Sequence, residues 1–467
     1  FYILTKYKSF NIHLTIKDIF IFIFLIFFIF ILIYGSSFSD DLNHYHNGYI
    51  TNTDNFNYIF GLNFLHHHYG YSSIWLILHS YLNFDNNILQ DIHVLNGIIL
   101  ISVLGTLITE FFDHNKKKNN FLIVLIIFFI FFIFLKYTRI KEFGIDRPGF
   151  LIFIFITYYF FKYYLSNIYY KNQHYKNILI LSLFLFSIKL IYIPFLFLSL
   201  IFVLKKNLRP ILFSKFSYFY IFLITSYFFK NIIISGCIIY PLDLTCLEFI
   251  PWNSSEISKI ISFNTEVMNK SYYEYSGNLS KTEYIKNFNW KHTWLLRNIN
   301  ELSEYFATIL VCIFFTLMII KKNSIIQFKE KKIIYILYIL LILSLVISLK
   351  TPVIRMFHHI FLIIGIIFLF YRFRNYEVSI KKYYFITFFV LFLSFNFSKN
   401  FLRIYQGNFI NNPYQHIYER GWYQVPKLMK LGKFEYYKGW IDAAPIGNEN
   451  LDKYNHKKIK FFHIISK

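Results

Sequence analysis

The stretch Phe121-Leu-Ile-Val-Leu-Ile-Ile-Phe-Phe-Ile-Phe-Phe-Ile-Phe-Leu135 has no charged and no polar side chain anywhere along it. It is too long and too uninterrupted for a core strand, and comparable runs at Ile19–Ile33 and Ile333–Leu349 recur along almost the whole chain. Of the 467 residues, 56% are hydrophobic, 23% aromatic and only 16% charged, which excludes a soluble globular enzyme or a disordered chain. The chain reads as a polytopic membrane protein. Lys and Arg total 48 against 25 acidic residues, a net charge of +23. These cations fall mostly in short loops between apolar runs, so topology accounts for them better than a nucleic-acid partner does.

Lys6, Lys8 and Lys17 precede the first run, and no small-x-small cleavage site follows it, which predicts an uncleaved first helix with a cytoplasmic N-terminus. The next loop, Ser36–Asp91, contains no Lys or Arg and is expected outside. Basic clusters at Asp113–Asn120, Lys162–Lys176, Lys205–Lys215, Lys321–Lys332 and Arg372–Lys382 are expected in the cytoplasm. Between Lys176 and Lys205 the chain must then cross an even number of times, yet it holds one apolar stretch. A hairpin of short helices, Ile178–Ile188 and Ile191–Val203, with Ile188-Lys189-Leu190 at its tip, satisfies that parity; one long tilted helix is the alternative. With Ile92–Phe112, Gly149–Phe161, Phe216–Phe229, Tyr305–Ile320, Ile333–Leu349, Ile354–Tyr371 and Tyr383–Phe395, about eleven membrane segments are expected. The predicted fold is an all-α integral-membrane bundle over residues 1–397, with outer loops at 36–91 and 235–304 and an extracytoplasmic tail at 398–467.

Ile, Phe, Tyr, Asn and Lys share codons rich in A and T, so the scarcer residues carry more information. Arg is outnumbered by Lys 39 to 9. Cys237, Cys246 and Cys312 form no Cys-x-x-Cys pair, although Cys237 and Cys246 could join in an oxidising compartment. Asp40-Asp41-Leu42-Asn43-His44-Tyr45-His46 sits directly after the first crossing. Its adjacent carboxylates and two imidazoles could supply a general base or hold a divalent cation, Mg or Mn, and repulsion between the carboxylates favours a raised pKa on one of them. A solvated turn is the plain alternative. His66-His67-His68 cannot all converge on one ion from a regular element. A second cluster is cationic: Arg139 and Arg147 in an outer loop, Lys189 at the hairpin tip, and Arg355 beside Lys350. Arg forks suit phosphate oxygens, and at a membrane surface the simplest phosphate is a lipid headgroup. Lipid snorkelling without specificity is the competing reading.

These residues resemble the GT-C superfamily of integral-membrane glycosyltransferases, in which an acidic residue of the first outer loop, here Asp41 or Asp40 followed by Tyr45, faces a polyprenyl-phosphate-linked donor. The chain is more closely similar to a little-characterised bacterial multi-pass family related to them. The similar pieces are Asp41 with Tyr45-His46, Gly61-Leu62 with Leu65-His66, Gly70-Tyr71-Ser72-Ser73 with Trp75, Ile188-Lys189-Leu190 with Pro194, Ser235-Gly236 with Tyr240-Pro241, Arg355-Met356-Phe357, and Trp440 with Asp442-Ala443-Ala444-Pro445. Ser39 stands where a Trp is expected, and the tail lacks the family's cysteines.

The resemblance implies juxtamembrane helices in Asn57–Leu82, a lipid-facing cavity, and transfer of a sugar to an extracytoplasmic glycan or lipid acceptor. Asp41, with Asp40 as alternate, would be the base. Arg139, Arg147, Lys189 and Arg355 would hold the lipid phosphate, and His44, Tyr45, His46 and His66 are candidate contacts to acceptor, donor or metal. The expected location is the bacterial inner membrane, with no nucleic-acid partner. A transporter or flippase, a polymerase or ligase of lipid-linked glycans, and a non-catalytic scaffold are the rival classes; a transporter should carry midplane charges and repeat symmetry, and neither is visible. The sequons at Asn253, Asn278 and Asn396 are read as chance, because Asn is common here.

Overall fold

The structure, a computed structural model, describes residues 16–34, 41, 45–56, 59–82, 94–117, 120–138, 140, 144–165, 168–203, 214–325, 332–406, 427–431, 434–438, 446–447, 455–459 and 462–466. The chain is mostly helical. In order the helices are α1 (Ile16–Tyr34), α2 (Asn47–Phe56), α3 (Ile74–Tyr81), α4 (Val94–Lys117), α5 (Asn120–Lys136), α6 (Asp146–Leu165), α7 (Ile168–Ile188), α8 (Ile193–Val203), α9 (Lys215–Ser235), α10 (Ser255–Asn269), α11 (Lys281–Ile285), α12 (Lys291–Ile319), α13 (Lys332–Ser348), α14 (His358–Phe373) and α15 (Lys382–Gln406).

The apolar run Phe121–Leu135 becomes α5, and every residue from Phe121 to Phe134 is buried. A helix apolar on all sides has no face to offer water, so it is stable where others surround it. Phe134 meets Phe28 of α1 at 5.4 Å between ring centroids, Phe132 meets Phe150 of α6 at 5.3 Å, and Phe121 meets Phe370 of α14 at 5.2 Å. Gly365 lets α14 approach closely, since a Cβ there would lie 2.6 Å from the Phe128 ring. The outward faces are apolar as well: Phe20, Phe27, Phe222, Phe314, Val346 and Ile386 are exposed. Apolar surface of that extent suits lipid.

Among the described residues, five helices are long and apolar enough to cross a membrane: Val94–Phe112, Asp146–Leu165, Lys215–Ser235, Lys291–Ile319 and Lys382–Gln406. Ile19–Ile33, Phe121–Lys136, Lys332–Ser348 and His358–Phe373 are apolar but shorter. By length and composition, the described residues therefore show five spanning helices against the about eleven segments expected.

The chain breaks at Lys189 as the parity argument requires, but the first arm is longer than expected. α7 begins at Ile168 and takes Lys171 and Lys176 into the helix, so its 21 residues reach roughly 31 Å at ~1.5 Å per residue. Lys189 is extended (φ −156°, ψ 133°) and a 3₁₀ turn, Leu190–Tyr192, leads into α8. Lys189 pairs with Asp146 at the start of α6, and one to two turns on Phe195 of α8 meets Phe153 of α6 at 5.2 Å. α8 therefore runs alongside α6 in the same sense.

The all-α expectation needs correction, because loops pair at both ends of the bundle. At one end β2 (Ile320–Ile325) and β3 (Tyr376–Ile380) are antiparallel, joining two of the basic segments. At the other, β1 (Ile59–Phe60) pairs with β8 (Phe462–Ser466), which pairs in turn with β7 (Asn455–Ile459). β4 (Lys427–Leu431), β5 (Phe434–Lys438) and β6 (Ile446–Gly447) form a third sheet. Tail residues Tyr436 and Ile465 are buried in one cluster with Tyr49, Ile50, Leu62 and Phe64. The tail therefore packs on the first loop. Among the described residues of Asn57–Leu82, where helices are expected, only α3 is an α-helix; 3₁₀ turns at Leu62–Phe64 and His67–Tyr71 fill most of the rest. α15 continues to Gln406, past the expected boundary at 397, and α12 begins inside the expected loop 235–304. Trp440 and Asp442–Pro445 lie outside the described residues.

Gly61 carries the tail contact: its φ is +74° and a Cβ would lie 2.3 Å from the Ile465 carbonyl oxygen. Gly61→Ala is expected to unseat β8 and to cost about 1–3 kcal/mol. Limited proteolysis should then cut within 455–466 faster than in the parent; an unchanged rate would show that the docking does not depend on this glycine.

Candidate active-site cavity

A cavity of about 1020 Å³ opens at the end of the bundle where the first loop and tail pack. Its walls bring together Asp41, Tyr45 and His46 from the first loop, Arg147 from the start of α6, Lys189 from the α7–α8 break, and Arg355 from the turn before α14. Local rules explain each placement. Asp146 in the first turn of α6 complements the helix dipole, and Pro148 is tolerated there because that turn needs no internal N–H donor. Gly149 lets the Tyr192 ring lie against α6, since a Cβ would sit 2.7 Å from it, and this close approach seats Lys189 beside Asp146. Ser73 donates to the Ile188 carbonyl at 2.9 Å, tying the first loop to the end of α7. Asn231 of α9 accepts from the Ser72 hydroxyl at 2.7 Å, and Lys230 donates to the Ser72 carbonyl. The segment Gly70–Trp75, singled out in the sequence for its resemblance, thus acts as the clamp that holds the wall.

Around Arg355 the charges form a chain. Its Nη2 lies 3.8 Å from Asp41 Oδ2 and its Nε 3.7 Å from Asp146 Oδ2. Asp146 Oδ1 accepts from Lys189 Nζ. The two Arg355 separations exceed hydrogen-bond range, so the guanidinium, which lines the cavity, is attracted to both carboxylates without a tight bond to either. Its side chain is 55% exposed. Lys136 pairs with Glu304 at 2.6 Å and sits 3.9 Å over the Tyr305 ring, whose hydroxyl meets His358 Nε2 at 3.2 Å. Arg147 lies 5.2 Å over the Tyr137 ring.

Of the sequence-predicted residues, Asp41, Tyr45, His46, Arg147, Lys189 and Arg355 share this cavity. His66 is buried outside its lining, packed with His67 and His68. Asp40, His44 and Arg139 lie outside the described residues. Sequence reading overlooked Asp146, which it treated as part of a basic loop, although Asp-Arg-Pro-Gly is itself a helix-start signal. It also overlooked Asn396 and Arg403. Asn396 Nδ2 donates to the carbonyls of Phe134 (2.9 Å) and Tyr137 (3.2 Å), and Arg403 Nη1 to that of Thr138 (2.9 Å). Buried Asn396 is a cap for the end of α5, which explains its position better than a chance sequon does.

His46 is 2% exposed, and its ring nitrogens make no hydrogen bond among the described residues. Burial pushes its pKa below the ordinary imidazole value, against the pull of the Asp41 and Asp146 carboxylates. An unfolded chain binds the proton first, so the neutral buried ring withdraws stability as pH falls below about 6.5. Between pH 7 and 5 this group should destabilise the fold by about 1–2 kcal/mol. His46→Gln should flatten the melting temperature over that window, and a slope equal to the parent's would exclude His46 as its origin.

Residues 2–362 match the family described as Domain of unknown function (DUF8201). No curated protein and no solved structure matches the chain.

Proposed function

The chain belongs to the DUF8201 family, and from that premise and the cavity we propose that it is a membrane glycosyltransferase of GT-C type. It transfers a sugar from a polyprenyl-phosphate-linked donor to an extracytoplasmic envelope glycan or lipid, in a bundle of about eleven crossings set in the bacterial inner membrane. The observation that carries this reading is Arg355 between Asp41 and Asp146 on the cavity wall, hydrogen-bonded to neither. Sidedness is supported by two features. The basic β2–β3 pair lies at the opposite end of the bundle from the cavity, and the Cys237–Cys246 disulfide lies at the cavity end.

Asp41 takes the proton of the acceptor hydroxyl as that oxygen attacks the anomeric carbon, and Asp40 is the alternate base. The bond to the lipid phosphate breaks with its electron pair on the phosphate oxygen. Arg355 and Arg147, joined by Arg139, neutralise the departing phosphate. Lys189 acts chiefly on Asp146: it neutralises that carboxylate, so Arg355 is shared and not captured. A divalent cation, Mg or Mn, would be held chiefly by the Asp41 carboxylate, with His46 on the same cavity wall and His44 near it in sequence as further candidate ligands. Its charge would add to that of the arginines.

With a synthetic polyprenyl-phosphate sugar and chain-containing nanodiscs, the Asp41→Asn, Asp40→Asn double variant should lose about 10²–10⁴-fold in turnover. Arg355→Ala should lose more than Arg355→Lys, because only the guanidinium spans both carboxylates. Undiminished turnover in the double variant would exclude the proposed base. Passage of the intact lipid-linked sugar across the bilayer without transfer would replace the enzyme by a flippase.

A further inference from the structure

We propose that His66, His67 and His68 form a binding site for a borderline transition-metal ion, Zn²⁺ or Cu²⁺, at the rim of the cavity. On a regular helix or strand three consecutive side chains diverge, and that is the basis of the contrary expectation from sequence. Here the element is irregular. His66 is extended (φ −159°, ψ 125°) and is followed by a single 3₁₀ turn, His67–Tyr71, which folds the chain back under its own ring. The ring centroids stand 4.8 Å (His66–His67), 4.2 Å (His67–His68) and 5.1 Å (His66–His68) apart. One donor nitrogen from each ring lies within 4.8 Å of the others.

Metal–nitrogen bonds of ~2.0–2.1 Å require donor atoms closer than that, and side-chain rotation of the half-buried His67 and His68 can supply the contraction. His66 Nδ1 accepts the His68 amide proton at 3.2 Å, so the ion would take over that lone pair. The donor set selects the metal. Three imidazoles suit Zn²⁺ and Cu²⁺, whereas Mg²⁺ and Mn²⁺ prefer oxygen. Tyr45 is stacked on His68 at 4.9 Å, and Tyr69 lies 5.2 Å from His66, so the surroundings are aromatic. The site would stiffen the turn that leads into Gly70, whose backbone packs against the Tyr240 ring. Three protein ligands also leave a fourth position for water. None of this depends on glycosyl transfer.

The test uses the full chain purified without an oligohistidine tag, reconstituted in nanodiscs, stripped by chelator and titrated with ZnCl₂. One zinc per chain is expected, bound at micromolar concentration or tighter, with an excess of Mg²⁺ failing to compete. His67→Asn and His68→Asn should each weaken binding at least tenfold, while Asp41→Asn should leave it intact. Absence of stoichiometric binding in the parent, survival of binding in the His67→Asn, His68→Asn double variant, or its loss with Asp41→Asn would each overturn the site. Should the double variant melt early, Co²⁺ in the parent decides: an intense visible d–d band supports imidazole ligation, and its absence refutes it.

Discussion

A backbone carbonyl at a helix end has lost its partner within the helix, and among apolar side chains it must find another donor. That constraint shapes the cavity end of this bundle. The last carbonyls of α5 are met by Asn396 and that of Thr138 by Arg403, both from α15. The end of α7 is met by Ser73 of the first loop. At the end of α9, Ile232 accepts from the Trp252 indole at 2.8 Å and from the Gly236 amide at 2.8 Å, while Ile233 accepts from the Gly61 amide at 3.0 Å. Most of these donors are remote in sequence from the carbonyl they serve, so satisfying the backbone also gathers distant loops. The charged residues on those loops are collected as a consequence.

The gathered charges are balanced unevenly. Lys189 and Asp146 are in direct contact and largely cancel. Arg355 stands 3.7–3.8 Å from two carboxylates, close enough for attraction at an effective dielectric near the surface yet too far for hydrogen bonds. Trp294 holds the Pro352 carbonyl at 2.6 Å and so fixes the short loop that presents Arg355.

Several of these features were legible in the residues. Lys189 stood out because charge parity demanded a reversal there, and Asp41 and Arg355 because acids and arginines are scarce in this composition. Asp146 was hidden inside a loop read only for its cations. Asn396 was hidden by the abundance of Asn, since its value lies in which carbonyls it reaches. His66–His68 could be judged from sequence only by assuming a regular element, and the extended-then-3₁₀ backbone removes that assumption. The tail strands gave no warning either, because β8 is placed by its pairing with Ile59–Phe60 at the far end of the chain.

By itself the sequence determined that the chain is a bundle of apolar helices with its cations in the connections, because uninterrupted apolar runs can be satisfied in few other ways. It also determined which scarce charges lie near helix ends. Only the tertiary structure decided that Asp41, Asp146, Lys189 and Arg355 share one cavity, how each is paired, and that the tail closes on the first loop. Those outcomes depend on contacts between segments separated by 43 residues or more, and periodicity along the chain carries no record of them.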